Sequence, residues 1–105
     1  MKPNNIFSNI PCELKQEIFE FIIKNQAVMI ERIISKGQTS PESSWFDQEK
    51  NEWVILLKGK AVVVFENQTP VQLNKGDYIN IPSHTKHRVA WTDPDNETIW
   101  LAVHY

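Results

Sequence analysis

From Ala27 to Tyr105, runs of four to eight β-rich residues are cut apart by clusters of Gly, Pro, Asn, Asp and Ser, and no helical period intervenes. The runs cover residues 27–34, 44–47, 52–58, 60–66, 70–73, 77–82, 87–91 and 98–105. Turn-forming stretches such as "SKGQTSPES", "QEKN", "NKGD" and "TDPDNE" lie between them. Strands this short and this evenly spaced cannot each bury a face alone. They predict a β-sandwich, jelly roll or barrel.

The N-terminal stretch reads differently. In "PCELKQEIFEFIIK", residues 11–24, Leu14, Ile18, Phe21 and Ile22 fall at offsets of four, seven and eight, with Glu and Lys between them. That spacing predicts one amphipathic helix, with Pro11 in its first turn and Glu13 at the positive end of its dipole. The expected organisation is a helical segment over 1–26 and a β-domain over 27–105. At 105 residues the chain supports one core, burying roughly two-thirds of its unfolded surface.

Charge and hydropathy narrow the partners. The net charge is −2 and the lysines and arginines stand scattered, so no basic stripe offers itself to phosphates and nucleic acid is not an expected partner. The longest apolar runs, "WVILL" and "AVVVF", fall far short of the ~20 residues of a membrane-spanning helix. The start, "MKPNNIFSNIPCE", lacks the apolar stretch of a signal peptide. With Cys12 the single cysteine, no intramolecular disulfide forms, and a cytoplasmic location is expected.

Two stretches carry candidate chemistry. In "WFDQEKNEW", residues 45–53, a hairpin closed by "QEKN" would set Asp47 opposite Glu52. Facing carboxylates repel, and such a pair calls for a cation, a shared proton or water. Glu52 shares its alternation with Val54 and Leu56 and is expected to look inward. A solvated acidic turn, with Lys50 in the same loop, explains these residues equally well. In "GDYINIPSHTKHRVAW", residues 76–91, His87 shares a face with Val89 and Trp91, while His84 reaches the same point only from the loop after Pro82. An imidazole converging with two carboxylates is the mixed nitrogen and oxygen set that suits iron, manganese, zinc or nickel. His104 has the parity of Trp100 and Ala102 and is expected at a cavity or a dimer edge. Trp45, Trp91 and Trp100 are candidate walls of a ligand pocket, with core packing as the alternative for at least some of the tryptophans.

Gly76, Pro82 and His87, together with Glu52 and Gly59, have the spacing of the two ordered motifs of the cupin superfamily, which residues 27–105 resemble. Similarity is greatest to small single-domain bacterial members with no established reaction. The resemblance implies a mainly β fold, the double-stranded β-helix or jelly-roll barrel, commonly a homodimer. It also implies a divalent metal, iron, manganese, zinc or nickel, held by Asp47, Glu52 and His87, with His84 or His104 as further ligands. The first motif departs from the pattern, since Trp45 and Asp47 stand where histidines are usual, and His84 stands where the second motif usually has Gly. The implied activity is binding of, or action on, a small polar molecule, with His84 as a proton carrier. The alternative is a metal-free ligand-binding or dimerisation domain with a vestigial site.

Overall fold

The computed structural model describes all residues from Met1 to Tyr105. Eight strands form: β1 Ile18–Lys24, β2 Met29–Ser35, β3 Glu52–Lys58, β4 Lys60–Phe65, β5 Val71–Asn74, β6 Tyr78–Ile81, β7 His87–Thr92 and β8 Thr98–His104. They make two antiparallel sheets, one of five strands in the order β1-β2-β8-β3-β6 and one of three in the order β5-β4-β7. Alternation along each strand turns one set of side chains toward the opposing sheet. Val54, Leu56, Ala61, Val63, Leu73, Ile81, Trp100 and Ala102 form the resulting core.

No α-helix forms, and the helix expected over 11–24 is corrected to an irregular segment followed by β1. Five of the seven residues in "IFEFIIK" are Ile or Phe, types that suit a pleated surface better than a helical one. β2 offers them a ladder from Ile18↔Ile34 to Lys24↔Met29, so the segment gains interstrand hydrogen bonds without the cost of nucleating a helix. Residues 18–24 therefore extend the larger sheet. Arg32, buried under the N-terminal segment, ties that segment down. Its guanidinium donates to the carbonyls of Ile6 and Ser8 at 2.9 and 2.6 Å and to both carboxylate oxygens of Glu20 at 2.9 Å.

The expected strand over 44–47 is likewise corrected. β3 has β8 on one edge and β6 on the other, so no edge is left for residues 44–47 to pair as a hairpin. Phe46 instead bridges His87 of the smaller sheet, exchanging backbone hydrogen bonds of 2.8 and 3.2 Å.

The crossing from one sheet to the other occurs at Gly59, between β3 and β4. Its φ is +92°, and a Cβ there would lie 2.6 Å from the Thr98 Cα, so both conformation and space require glycine.

Candidate functional site

Between the sheets lies a cavity of about 100 Å³ that reaches the surface past Phe19 and Phe46, both half exposed. Its polar wall comes from four strands or strand ends. Glu31 of β2, Glu52 of β3, His87 of β7 and His104 of β8 all line it, and all are at most 9% exposed. The ladders explain the convergence. Glu52 faces His104 directly across β3 and β8, and Glu31 faces Ala102, two residues from His104 on β8. His87 enters from the opposing sheet, fixed at the start of β7 by the Phe46 bridge.

The polar groups form two pairs. His104 Nε2 lies 2.9 Å from Glu31 Oε1, and His87 Nε2 lies 3.5 Å from Glu52 Oε1. The first is a hydrogen bond; the second is too long to be a good one. His87 Nδ1 is 2.8 Å from the Thr85 carbonyl, which can only accept, so Nδ1 carries a proton. In the neutral ring the lone pair then sits on Nε2, toward Glu52 and the cavity.

Both imidazoles hold protons more strongly than usual. For His104 the bond to Glu31 is the main cause, opposed by burial and assisted by the Glu52 charge. Burial is the largest influence on His87 and works against its charged form, but Glu52 and the Thr85 carbonyl together outweigh it and raise the pKa. A third carboxyl, Glu17, lines the cavity from the segment before β1 and accepts a 2.6 Å hydrogen bond from Ser35 Oγ. Burial raises its pKa; the Ser35 bond lowers it and the nearby Glu31 charge raises it further.

The residues singled out from the sequence separate into two groups. Glu52, His87, His104 and Trp100 line the cavity. Asp47 lies outside it, its Oδ1 2.7 Å from Nδ1 of His84 in an exposed pair. The facing of Asp47 and Glu52 expected from a hairpin is absent because that hairpin does not form. His84 adopts φ +58°, the left-handed conformation, at the position where glycine is usual, and its backbone N–H donates to the Gln48 carbonyl at 2.8 Å. Trp45 is also outside, with the Arg88 guanidinium over its ring at 5.7 Å.

Trp91 points away from the cavity and is 40% exposed. The expected parity of His87, Val89 and Trp91 fails at a bulge: Val62 pairs with Trp91 and Val63 with Val89, so Ala90 is the extra residue. Beyond it Thr92 turns inward and is 1% exposed. Sequence reasoning missed Glu17 and Glu31 as lining residues. Glu31 had a signal: an acidic residue inside an apolar strand requires a buried partner or a solvated face.

As a donor set, two imidazoles with neighbouring carboxylates suit a first-row divalent cation. In this arrangement no group of three His, Cys, Asp or Glu side chains converges to hold a metal ion. The four groups are instead arranged as two His–carboxylate pairs facing one cavity, one of them hydrogen-bonded.

A two-sheet antiparallel jelly roll with polar side chains lining a cavity between the sheets defines the class of small double-stranded β-helix barrels. Residues 31–104 match the cupin domain, and the chain belongs to the cupin family. It is similar along 99% of its length, at 41% identity and a TM-score of 0.94, to a structure from Ralstonia eutropha provisionally named a mannose-6-phosphate isomerase, 97% of which is covered. A cupin superfamily protein from Desulfitobacterium hafniense is 19% identical with a TM-score of 0.75, covering 90% of this chain and 82% of that one. An RmlC-like cupin with a double-stranded β-helix from Methanocaldococcus jannaschii is 18% identical, with a TM-score of 0.71 and coverage of 91% and 85%. The last two show the fold alone. No curated protein matches the chain in sequence.

Proposed function

We propose that this cupin binds a small polar molecule in the cavity between its sheets, through Glu31, Glu52, His87 and His104. The observation that carries the reading is the pair of buried His–carboxylate contacts, at 2.9 and 3.5 Å, lining one cavity that reaches solvent. An imidazole backed by a carboxylate can donate or accept a proton. The site therefore supports binding and, for a substrate with an acidic C–H or a reactive carbonyl, proton transfer. The isomerase name of the Ralstonia structure supports proton-transfer chemistry, but the phosphorylated sugar in that name suits this cavity poorly. Three carboxylates line it and no Lys or Arg does. Histidine-ring NMR spectra recorded against a panel of small metabolites test the proposal. Binding shifts the His87 and His104 resonances in the parent and is weakened in Glu52→Gln; a panel that moves neither ring refutes it.

A divalent cation is the second reading, favoured by the donor set and by the Thr85 carbonyl, which leaves the His87 Nε2 lone pair toward the cavity. Glu52, His87 and His104 would hold it once drawn together from the separate pairs they form here. A bound iron, manganese, zinc or nickel ion supplies a Lewis acid or redox centre. Asp47 is reserved for His84 in this arrangement. Elemental analysis of protein purified without tag or chelator, repeated on Glu52→Gln, separates the readings: near-stoichiometric metal lost in the variant favours the cation.

The chain further fits a homodimer. β1 is an edge strand whose Phe19, Phe21, Ile22 and Ile23 are each about half exposed, and an uncovered apolar edge invites pairing. Light scattering on the parent and on Phe21→Lys tests this, with a dimer expected to give way to monomer. A cytoplasmic location is in keeping with the free thiol of Cys12, and no helix is long and apolar enough to cross a membrane.

A further inference from the structure

The geometry points to a short, uncharged, hydroxylated molecule as the ligand class, in preference to a phosphorylated, carboxylate or ammonium compound. The inference deepens the binding reading above and depends on it.

Size sets the first limit. A cavity of about 150 Å³ accommodates benzene, six heavy atoms, so the 100 Å³ here encloses about four. A longer molecule would leave its remainder in the mouth beside Phe19 and Phe46.

Charge sets the second. The cavity is lined by Glu17, Glu31 and Glu52 and by no Lys or Arg, and both histidines already face carboxylates. An anion entering it meets negative charge with no unspent cation. An ammonium group meets two carboxylates already facing histidines, Glu31 beside His104 and Glu52 beside His87, and a third, Glu17, whose charged form burial disfavours. What each carboxylate retains is lone pairs, because a carboxylate accepts about four hydrogen bonds, Glu17 and Glu31 accept one apiece from side chains, and the 3.5 Å His87 contact to Glu52 is too long to fill one well. Hydroxyl groups satisfy lone pairs without adding charge.

Two orphan atoms extend the same chemistry. Trp100 is 4% exposed and lines the cavity, and its Nε1–H, which can only donate, has no partner. Gln48 also lines the cavity, and its Oε1, which can only accept, has none either. A hydroxyl both accepts from an indole N–H and donates to an amide oxygen, and does so from one uncharged atom. A buried polar atom without a partner is costly, so a ligand that supplies one gains accordingly.

The test is a charge series at nearly constant size on the intact protein: ethylene glycol, ethanolamine and glycolate, with glycerol as a longer diol. Binding is read from the His87 and His104 ring resonances and the Trp100 indole N–H resonance. NMR suits it because four heavy atoms can bind no tighter than about tens of micromolar. The expected result is that ethylene glycol and glycerol shift both histidines and the Trp100 N–H, while ethanolamine and glycolate bind at least tenfold more weakly. Tighter binding of ethanolamine or glycolate overturns the ligand class and leaves the site standing. Diols that move the histidines but not the Trp100 N–H overturn the role given to the indole. If no member of the series moves any of these resonances, the ligand class and the binding reading fall together.

Discussion

Glu31→Gln is the substitution that separates a proton-holding pair from a merely buried hydrogen bond. It keeps the volume and an acceptor oxygen for His104 but removes the charge. A unit charge pair at the observed 2.9 Å is worth about 6 kcal/mol at an effective dielectric of 20. Burial of both partners takes back much of that, and removing one side of such a pair typically costs about 3–5 kcal/mol. His104 can avoid the full cost by releasing its proton, so the penalty depends on pH. Its folded pKa is raised, so the stabilisation from holding the proton is fully present below the ordinary histidine value near 6.5 and fades as pH rises through the raised value.

The expected loss for Glu31→Gln is therefore about 2–4 kcal/mol at pH 5.5, where the variant must bury a histidinium or strip its proton. At pH 9 the exchange is a charge-assisted bond for a neutral one, a loss of about 1 kcal/mol. Glu17 pushes the same way. Its carboxyl is held above the usual range chiefly by burial and partly by Glu31, so removing Glu31's charge relieves it most at high pH. Urea melts of parent and variant at the two pH values, at unchanged m, give the difference. An equal loss at both, or a larger one at pH 9, refutes the assignment of a raised His104 pKa to Glu31.

Three further expectations follow from single residues. Gly59→Ala and Gly76→Ala share φ near +90°, but a Cβ at Gly76 meets nothing within 4 Å whereas at Gly59 it strikes Thr98 and the Glu97 carbonyl. Gly76→Ala should cost about 1–2 kcal/mol for the left-handed conformation, and Gly59→Ala about 1–3 kcal/mol more for the clash; equal costs in urea melts would refute the steric argument. Arg32→Met, by removing the donor shared by Ile6, Ser8 and Glu20, should cost about 2–4 kcal/mol and raise protease cleavage within residues 1–17; an unchanged cleavage rate would show that the segment is held by other contacts. Asp47→Asn should leave the His87 and His104 titration curves in place, as NMR would show; movement of either would bring Asp47 back into the cavity's electrostatics.

The strands were legible where alternation and turn chemistry agreed. β3 runs over the expected residues, and β2 and β4 to β8 differ from expectation by one or two residues at their ends. The failures occurred where tertiary pairing decided. Ile18, Phe21 and Ile22 fit a helical stripe and a strand apolar on both faces equally well; the free edge of β2 settled it. Residues 44–47 had strand-like composition but no edge to join. At Trp91 one extra residue in a bulge reversed the face, something period-two counting has no means to detect.

The site was legible along the motif and hidden away from it. Glu52 and His87 hold motif positions, and the fold brings them to 3.5 Å. Asp47, the third position, is drawn off by His84, whose Nδ1 is there to take it because that residue is not glycine. The two departures from the family pattern therefore act together: a histidine in place of glycine captures the carboxylate that stands in place of a histidine. The second imidazole of the cavity comes instead from His104, on the strand beside β3. Its partner Glu31 lies 73 residues earlier in the chain, a pairing that only the β2–β8 ladder brings together. This exchange leaves a cavity of the usual place in the fold with a different electrostatic character, two self-neutralised His–carboxylate pairs and spare lone pairs. That character, more than the fold, favours hydroxyl-bearing ligands over charged ones.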